Sequence, residues 1–233
     1  KATKKERAGI NHYCFDIASP RRIFTVEDFR RCADRAIANI RRKGKTPIMV
    51  GGSGFYIDAI IYDNAYPPVP PNVKLRKALE RKNTAELLTT LKKLDPRRAK
   101  TVDRANPRRL IRAIEIARVF GNVPALRKKL RYSAKIILLS PPKQKLKKNI
   151  ARRVHSMLRR GLLAEVKKLL KQKIPRKRIF ELGFEYQYPL LYLEGKISKE
   201  TMVQKINTKT WQYAKRQIRW FKKYLKKIAQ KPS

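Results

Sequence analysis

The stretch "TPIMVGGSGFYIDAI", residues 46–60, constrains the fold more than any other part of the chain. A short apolar run bounded by Pro47 and Gly51 predicts a buried strand. Gly51, Gly52, Ser53 and Gly54 predict a tight turn, and "FYIDAIIY" predicts a helix. A second apolar run, "AKIILLSPP" at 134–142, predicts another buried strand. Helix, buried strand, glycine turn and helix is the pattern of a parallel α/β sheet, whose faces are covered by crossover helices.

Four prolines in "YPPVPPN", 66–72, interrupt that pattern with a stiff connection. From there to about Arg131 only helices are predicted: "VKLRKALERK", "TAELLTTLKKL" and "NPRRLIRAIEIARVF". Asn83 or Thr84 suits the start of the second, and Asn106 followed by Pro107 the start of the third. The organisation expected is a first part of an α/β core over 1–70, a helical insertion over 71–130, and the rest of the core with C-terminal helices over 131–233. Earlier, Thr25 and Asp28 form a capping-box pattern, Val26 to Ile40 recur at helical spacing, and Gly44 is a stop. "HYCFDI" is a candidate short strand. The last helix is expected from about Lys199 to Ile228, with a core stripe of Val203, Ile206, Thr210, Tyr213, Gln217, Trp220 or Phe221, and Leu225.

Charge narrows the partners. Sixty Lys and Arg against 17 Asp and Glu give a formal net charge of +43. Such a surface repels itself unless an anion is near, and nucleic acid is the first candidate. An anionic membrane surface is the second, although no apolar run reaches the length of a span. The only cysteines, Cys14 and Cys32, lie in no metal-ligand spacing with His12 or His155 and are expected to be buried, reduced thiols of a cytoplasmic protein. No Ser–His or paired-carboxylate arrangement is visible.

Three stretches are able to carry chemistry. In "GGSG" the backbone N–H groups and the following helix start suit an anion, and Ser53 adds a hydroxyl; a tight strand-to-helix corner needs the same glycines. No G-x-x-x-x-G-K-[ST] occurs, so the main phosphate cradle is not here. In "NPRRLIRAIEI", Arg108 and Arg112 share a helix face and suit RNA phosphates; the bland alternative is a solvated face paired with Glu115. In "TWQYAKRQIRWFKK", Lys215, Arg216 and Arg219 alternate with aromatics in the manner of single-stranded RNA sites, although several of these rings fall on the core stripe.

Taken in order, "HYCFDIASP", "FTVEDFRRCADRAIANIRRKGKTPIMVGGSGFYIDAI", "LDPRRAKTVDRANPRRLIRAIEI", "MLRRGLLAEVKKLL", "LGFEYQYPLLYLEGKIS" and "TWQYAKRQIRWF" resemble six colinear segments of the tRNA dimethylallyltransferase (tRNA isopentenyltransferase) family. The resemblance spans nearly the whole chain. It implies a phosphate-loop kinase-like parallel sheet core, N-terminally truncated here, with a helical insertion domain. It also implies transfer of a dimethylallyl group from dimethylallyl diphosphate to the exocyclic amine of the adenosine 3′ of the tRNA anticodon. The base is flipped out, with Mg2+ and cations on the departing diphosphate.

By the same resemblance, Gly51, Gly52 and Ser53 face the adenosine, Ser53 standing where Thr is usual. Lys215 and Arg216 hold the diphosphate, and Arg76, Arg108, Arg109, Leu110, Ile111 and Arg112 bind the anticodon stem-loop. Trp211 departs from a usual Arg. The family's phosphate loop and general-base Asp precede the region that Lys1 matches, so the 233 residues alone are expected to be inactive and monomeric. Two alternatives stay open: a non-catalytic RNA-binding module derived from the enzyme, and a nucleotide kinase-like enzyme of the same fold.

Overall fold

The computed structural model describes residues 4–63, 67–125 and 129–229, with side chains as far as Leu225; Tyr66 of the proline-rich connection therefore lies outside the described residues. In chain order the helices are α1 (Lys4–Arg7), α2 (Val26–Arg42), α3 (Gly54–Ile61), α4 (Val73–Leu79), α5 (Thr84–Leu94), α6 (Pro96–Thr101), α7 (Pro107–Phe120), α8 (Lys143–Arg159), α9 (Leu162–Lys171), α10 (Arg176–Glu181), α11 (Phe184–Leu193) and α12 (Lys199–Ala229). Contacts divide the chain into two compact units, one formed by 1–61 with 132–233, the other by 62–131. No helix among the described residues is long and apolar enough to cross a membrane.

The helix starts follow from side-chain caps. Thr25 accepts from the Asp28 N–H while Asp28 accepts from the Thr25 N–H, closing the expected capping box. Asn83 and Glu86 do the same for α5, so Asn83, not Thr84, is the cap. Asn106 caps α7 with Pro107 in its first turn.

The second unit is built around Leu79, Leu87, Leu91, Leu110 and Ile114, all nearly solvent-free. Buried Asp95 joins its helices to its last loop: one carboxylate oxygen accepts from the Arg98 N–H and the other from the Val123 N–H at 2.8 Å. In the first unit, one cluster joins Val166, Leu169, Ile174, Ile179 and Leu190. Another joins Val154 of α8 to Tyr188, Met202 and Ile206. Pro189 stays inside α11, where its neighbours Tyr188 and Leu190 are buried. Arg178 of α10 donates to the carbonyls of Pro20 and Arg22 and so fastens the segment before α2.

Two expectations fail. The segments 46–50 and 134–142 carry no strand; the described residues hold only an isolated bridge between Tyr62 and Leu130. Both apolar runs are open to solvent: Ile48, Met49 and Val50 are 83%, 42% and 91% exposed, Ile137 and Leu139 72% and 85%. A strand needs neighbours for its backbone groups, and none is present among the described residues. "HYCFDI" is a bend, with Cys14 and Asp16 in the left-handed region. That bend brings Cys14 to Cys32 of α2, Cα atoms 6.0 Å apart, and the two form a disulfide instead of the expected free thiols. The pairing comes from the approach of a loop to a helix, which the 18-residue separation does not reveal.

Asp28 makes the start of α2 pH-sensitive. Hydrogen bonds from the Thr25 backbone and hydroxyl, then Arg31 and the charge of Arg22, outweigh burial and hold its carboxyl at about 2. A folded-state value below the unfolded one stabilises above about pH 4 and is lost as pH falls toward 2. Asp28→Asn should therefore destabilise at pH 7 and do so much less near pH 2, read from urea unfolding at both values.

Candidate functional site

The "GGSG" turn is shaped by α12. The Gln217 side-chain amide donates to the Gly52 carbonyl at 2.8 Å. A Cβ at Gly52 would fall within the Gln217 amide, and one at Gly54 within the Trp220 indole. A Cβ at Gly51 would meet nothing within 4 Å. Gly52 and Gly54 are thus required by the close approach of a helix, independently of any anion.

Ser53 ends the turn. Its carbonyl accepts from the Tyr56 and Ile57 N–H groups, which starts α3, and its hydroxyl has no partner among the described residues. Behind it, Phe29 of α2 meets Tyr56 edge-on at 4.9 Å. Burial, then Tyr213, raises the Tyr56 phenol above its ordinary value, so it is a neutral donor at neutral pH.

Lys215 and Arg216 lie on the exposed side of α12, directly before Gln217. The Lys215 ammonium lies 5.7 Å from the Trp211 ring centre, and Lys147 of α8 lies 5.5 Å from the same ring. Arg216 stands 5.7 Å from the Tyr213 ring. Aromatic faces therefore hold these cations without neutralising them. Of the expected core stripe, Ile206 and Phe221 are buried, whereas Tyr213 is 40% exposed; Met202 and Tyr224 complete the buried set.

In the second unit the arginines divide into two groups. Arg76 grips Glu115 with two bonds of 2.7 and 2.6 Å. Arg112 donates to Glu115 at 3.3 Å and to the Val69 carbonyl at 2.9 Å. The Asn72 N–H also donates to Glu115, which is 1% exposed. Burial opposes ionisation of Glu115, but the bonds from Arg76 and the Asn72 N–H outweigh it and keep the carboxyl below its usual range. The hydrogen bonds to Glu115 in turn raise Arg76. Arg76 and Arg112, expected at the RNA, are thus largely occupied inside the unit. Leu110 and Ile111, grouped with them from the sequence, are 0% and 6% exposed, so their side chains pack the core. Arg108 and Arg109 stay exposed at the start of α7, Arg109 with a loose 3.4 Å pair to Asp103.

Sequence reasoning missed the role of Gln217, which stood only as one member of a core stripe, and the depth of Glu115. The spacing of Gln217 and Trp220 on the stripe was the available signal for the first. No group of three His, Cys, Asp or Glu side chains converges among the described residues.

Residues 1–224 match the family model described as IPP transferase. The tRNA dimethylallyltransferase of Anoxybacillus flavithermus is 34% identical over 228 residues, covering 95% of this chain and 73% of that protein. That of an Exiguobacterium strain is 36% identical over 232 residues, with the same coverage. Among solved structures, the tRNA isopentenylpyrophosphate transferase of Bacillus halodurans aligns with a TM-score of 0.66 at 31% identity, over 95% of this chain and 72% of that one. A eukaryotic dimethylallyltransferase acting on tRNA aligns with a TM-score of 0.75 at 26% identity, over 94% of this chain and 58% of that one.

Two substitutions check the geometry. Gly54→Ala should cost about 1–3 kcal/mol by overpacking against Trp220, while Gly51→Ala should cost less than about 0.5 kcal/mol, both read from urea midpoints. Glu115→Gln leaves two half-exposed guanidiniums short of an anion. It should destabilise the second unit by about 2 kcal/mol, seen as faster amide exchange in α4 and α7.

Proposed function

This chain belongs to the IPP transferase family, and on that premise we propose how its residues serve the reaction. The protein that carries these residues transfers a dimethylallyl group from dimethylallyl diphosphate to the exocyclic amine of the adenosine 3′ of the anticodon in tRNA, the activity that its relatives' names give in outline. The amine nitrogen bonds to the allylic carbon as the carbon–oxygen bond breaks. The electron pair leaves with the diphosphate, and the amine gives up a proton.

The Gln217–Gly52 bond carries the assignment of roles. It joins the helix that bears Lys215 and Arg216 to the turn that bears Ser53. A hydroxyl that faces the nucleoside and cations that face the departing anion are therefore carried by directly bonded segments. Lys215 and Arg216 balance the charge that grows on the diphosphate, held in place by Trp211 and Tyr213. Ser53 orients the adenosine amine. Arg108 and Arg109 contact anticodon-loop phosphates, while Arg76 and Arg112 hold the proline-rich segment through Glu115. Magnesium would be held by diphosphate oxygens and water, where it would offset charge on the leaving group.

We assign neither a phosphate loop nor the base that takes the amine proton to these 233 residues, which contain no G-x-x-x-x-G-K-[ST] stretch. The exposed apolar side chains of 46–50 and 134–142 support their being segments that pair with further chain in a parallel sheet. The tRNA substrate makes a cytoplasmic setting the natural one.

Unmodified tRNA incubated with dimethylallyl diphosphate and magnesium tests the proposal by mass spectrometry. The full reading frame that encodes these residues should yield prenylated adenosine, and the 233 residues alone should bind tRNA without product. Tight binding with no product from either would replace the transferase with an RNA-binding module. Within the active protein, Ser53→Ala should lower kcat by about 10²-fold and leave the tRNA Kd within about 2-fold.

A further inference from the structure

Helix α8 presents a continuous stripe of four cations and one histidine that none of the roles above uses. Lys145, Lys148, Arg152, His155 and Arg159 follow at spacings of three and four, and at 100° per residue they fall within an arc of about 80°. All five are exposed. Helix α8 contains no Asp or Glu at all. Among the described residues no carboxylate forms an ion pair with Lys145, Lys148, Arg152 or Arg159; Arg152 donates to Asn149 at 2.7 Å. At its C-terminal end the stripe borders an open surface hollow lined by Arg152, His155, Leu158 and Arg159, with Lys199 at the start of α12 opposite.

The stripe is about 21 Å long, from 14 residues at 1.5 Å each, with basic side chains about 5 Å apart along the axis. An ordinary solvated helix face with so many cations carries acidic partners three or four residues away. Here the protein supplies none, so the countercharge must come from outside. The other side of α8 is spent: Ile150 and Val154 are 7% and 1% exposed, and Val154 packs on Met202 and Ile206. A helix that lies on a membrane needs its apolar face turned outward. This one turns it inward, which leaves a row of unpaired Lys and Arg side chains facing out, the chemistry that fits a phosphodiester backbone.

The C-terminal end of the stripe is remote from the turn, whereas its first turn lies near Trp211, which Lys147 shares with Lys215. Lys199 precedes Gln217 by 18 residues on α12, about 27 Å along one helix. We propose that the α8 stripe and the hollow at its end form a second RNA-backbone site, which leads from the neighbourhood of Trp211 and at its far end takes phosphates of the bound RNA well away from the modified adenosine. The proposal rests on tRNA being the substrate.

The test is tRNA affinity against salt for the full-length protein carrying Lys148→Gln, Arg152→Gln and Arg159→Gln. A control carries Lys167→Gln, Lys168→Gln and Lys171→Gln on α9. The stripe variant should bind about 10-fold more weakly near 0.1 M salt, with the slope of log K against log salt reduced by about 2–3. The control should keep wild-type slope, and turnover at saturating tRNA should be unchanged in both. Equal loss in both variants would mean bulk charge only and overturn the site. So would an unchanged slope in a stripe variant with wild-type circular dichroism. Loss of binding to phosphatidylserine vesicles with tRNA binding intact would overturn it in favour of a membrane surface. Binding does not need the transfer reaction, so absence of prenylated product from the wild type would count against the enzyme assignment and leave the slope comparison readable.

Discussion

Repulsion among 60 cationic side chains is the constraint under which this structure is built, and its 17 carboxylates are too few to answer each cation. They are concentrated where one anion serves several groups. Glu115 takes two arginines and a backbone N–H. Asp28 caps α2 and pairs with Arg22 and Arg31. Asp95 ends one helix, starts the next and ties down the Val123 loop. Glu194 holds Arg176 and Lys196. Each sits at the junction of two segments, where a charge partly withdrawn from water acts more strongly than on an open face. The remaining cations are left facing outward, which suits a polyanionic substrate.

Local order was legible from the sequence because it depends on neighbours in the chain. Thr25–Asp28, Asn83 and Asn106–Pro107 mark helix starts through bonds three residues long, and all three are present as expected. Pairing across the chain was not legible. An apolar run such as 46–50 states that a strand is suitable there, but a sheet also depends on which segments lie beside it. The Cys14–Cys32 bond likewise depends on a bend with left-handed residues that no propensity announces.

The site shows the same division. The residue types at Ser53, Lys215 and Arg216 were conspicuous, because hydroxyls and cations after glycines or among aromatics suggest ligands. The arginines of α7 and Arg76 looked alike in sequence, yet a single buried carboxylate separates those that face inward from those that face out. Periodicity places Arg112 beside Glu115, but only the fold adds Arg76, 39 residues away, and with it the depth of the pair.

The glycines at 51–54 bear most directly on how such a site works. Read as sequence, they suit either an anion cradle or a tight corner. Gly52 and Gly54 are occupied by the approach of Gln217 and Trp220, whereas Gly51 faces open space. The turn is thus the receiving half of a joint with α12, made by the Gln217–Gly52 bond and the approach of Trp220. Under the proposed roles, nucleophile and leaving group must be held at one distance while charge moves between them, and this joint links the turn of Ser53 directly to the helix of Lys215 and Arg216.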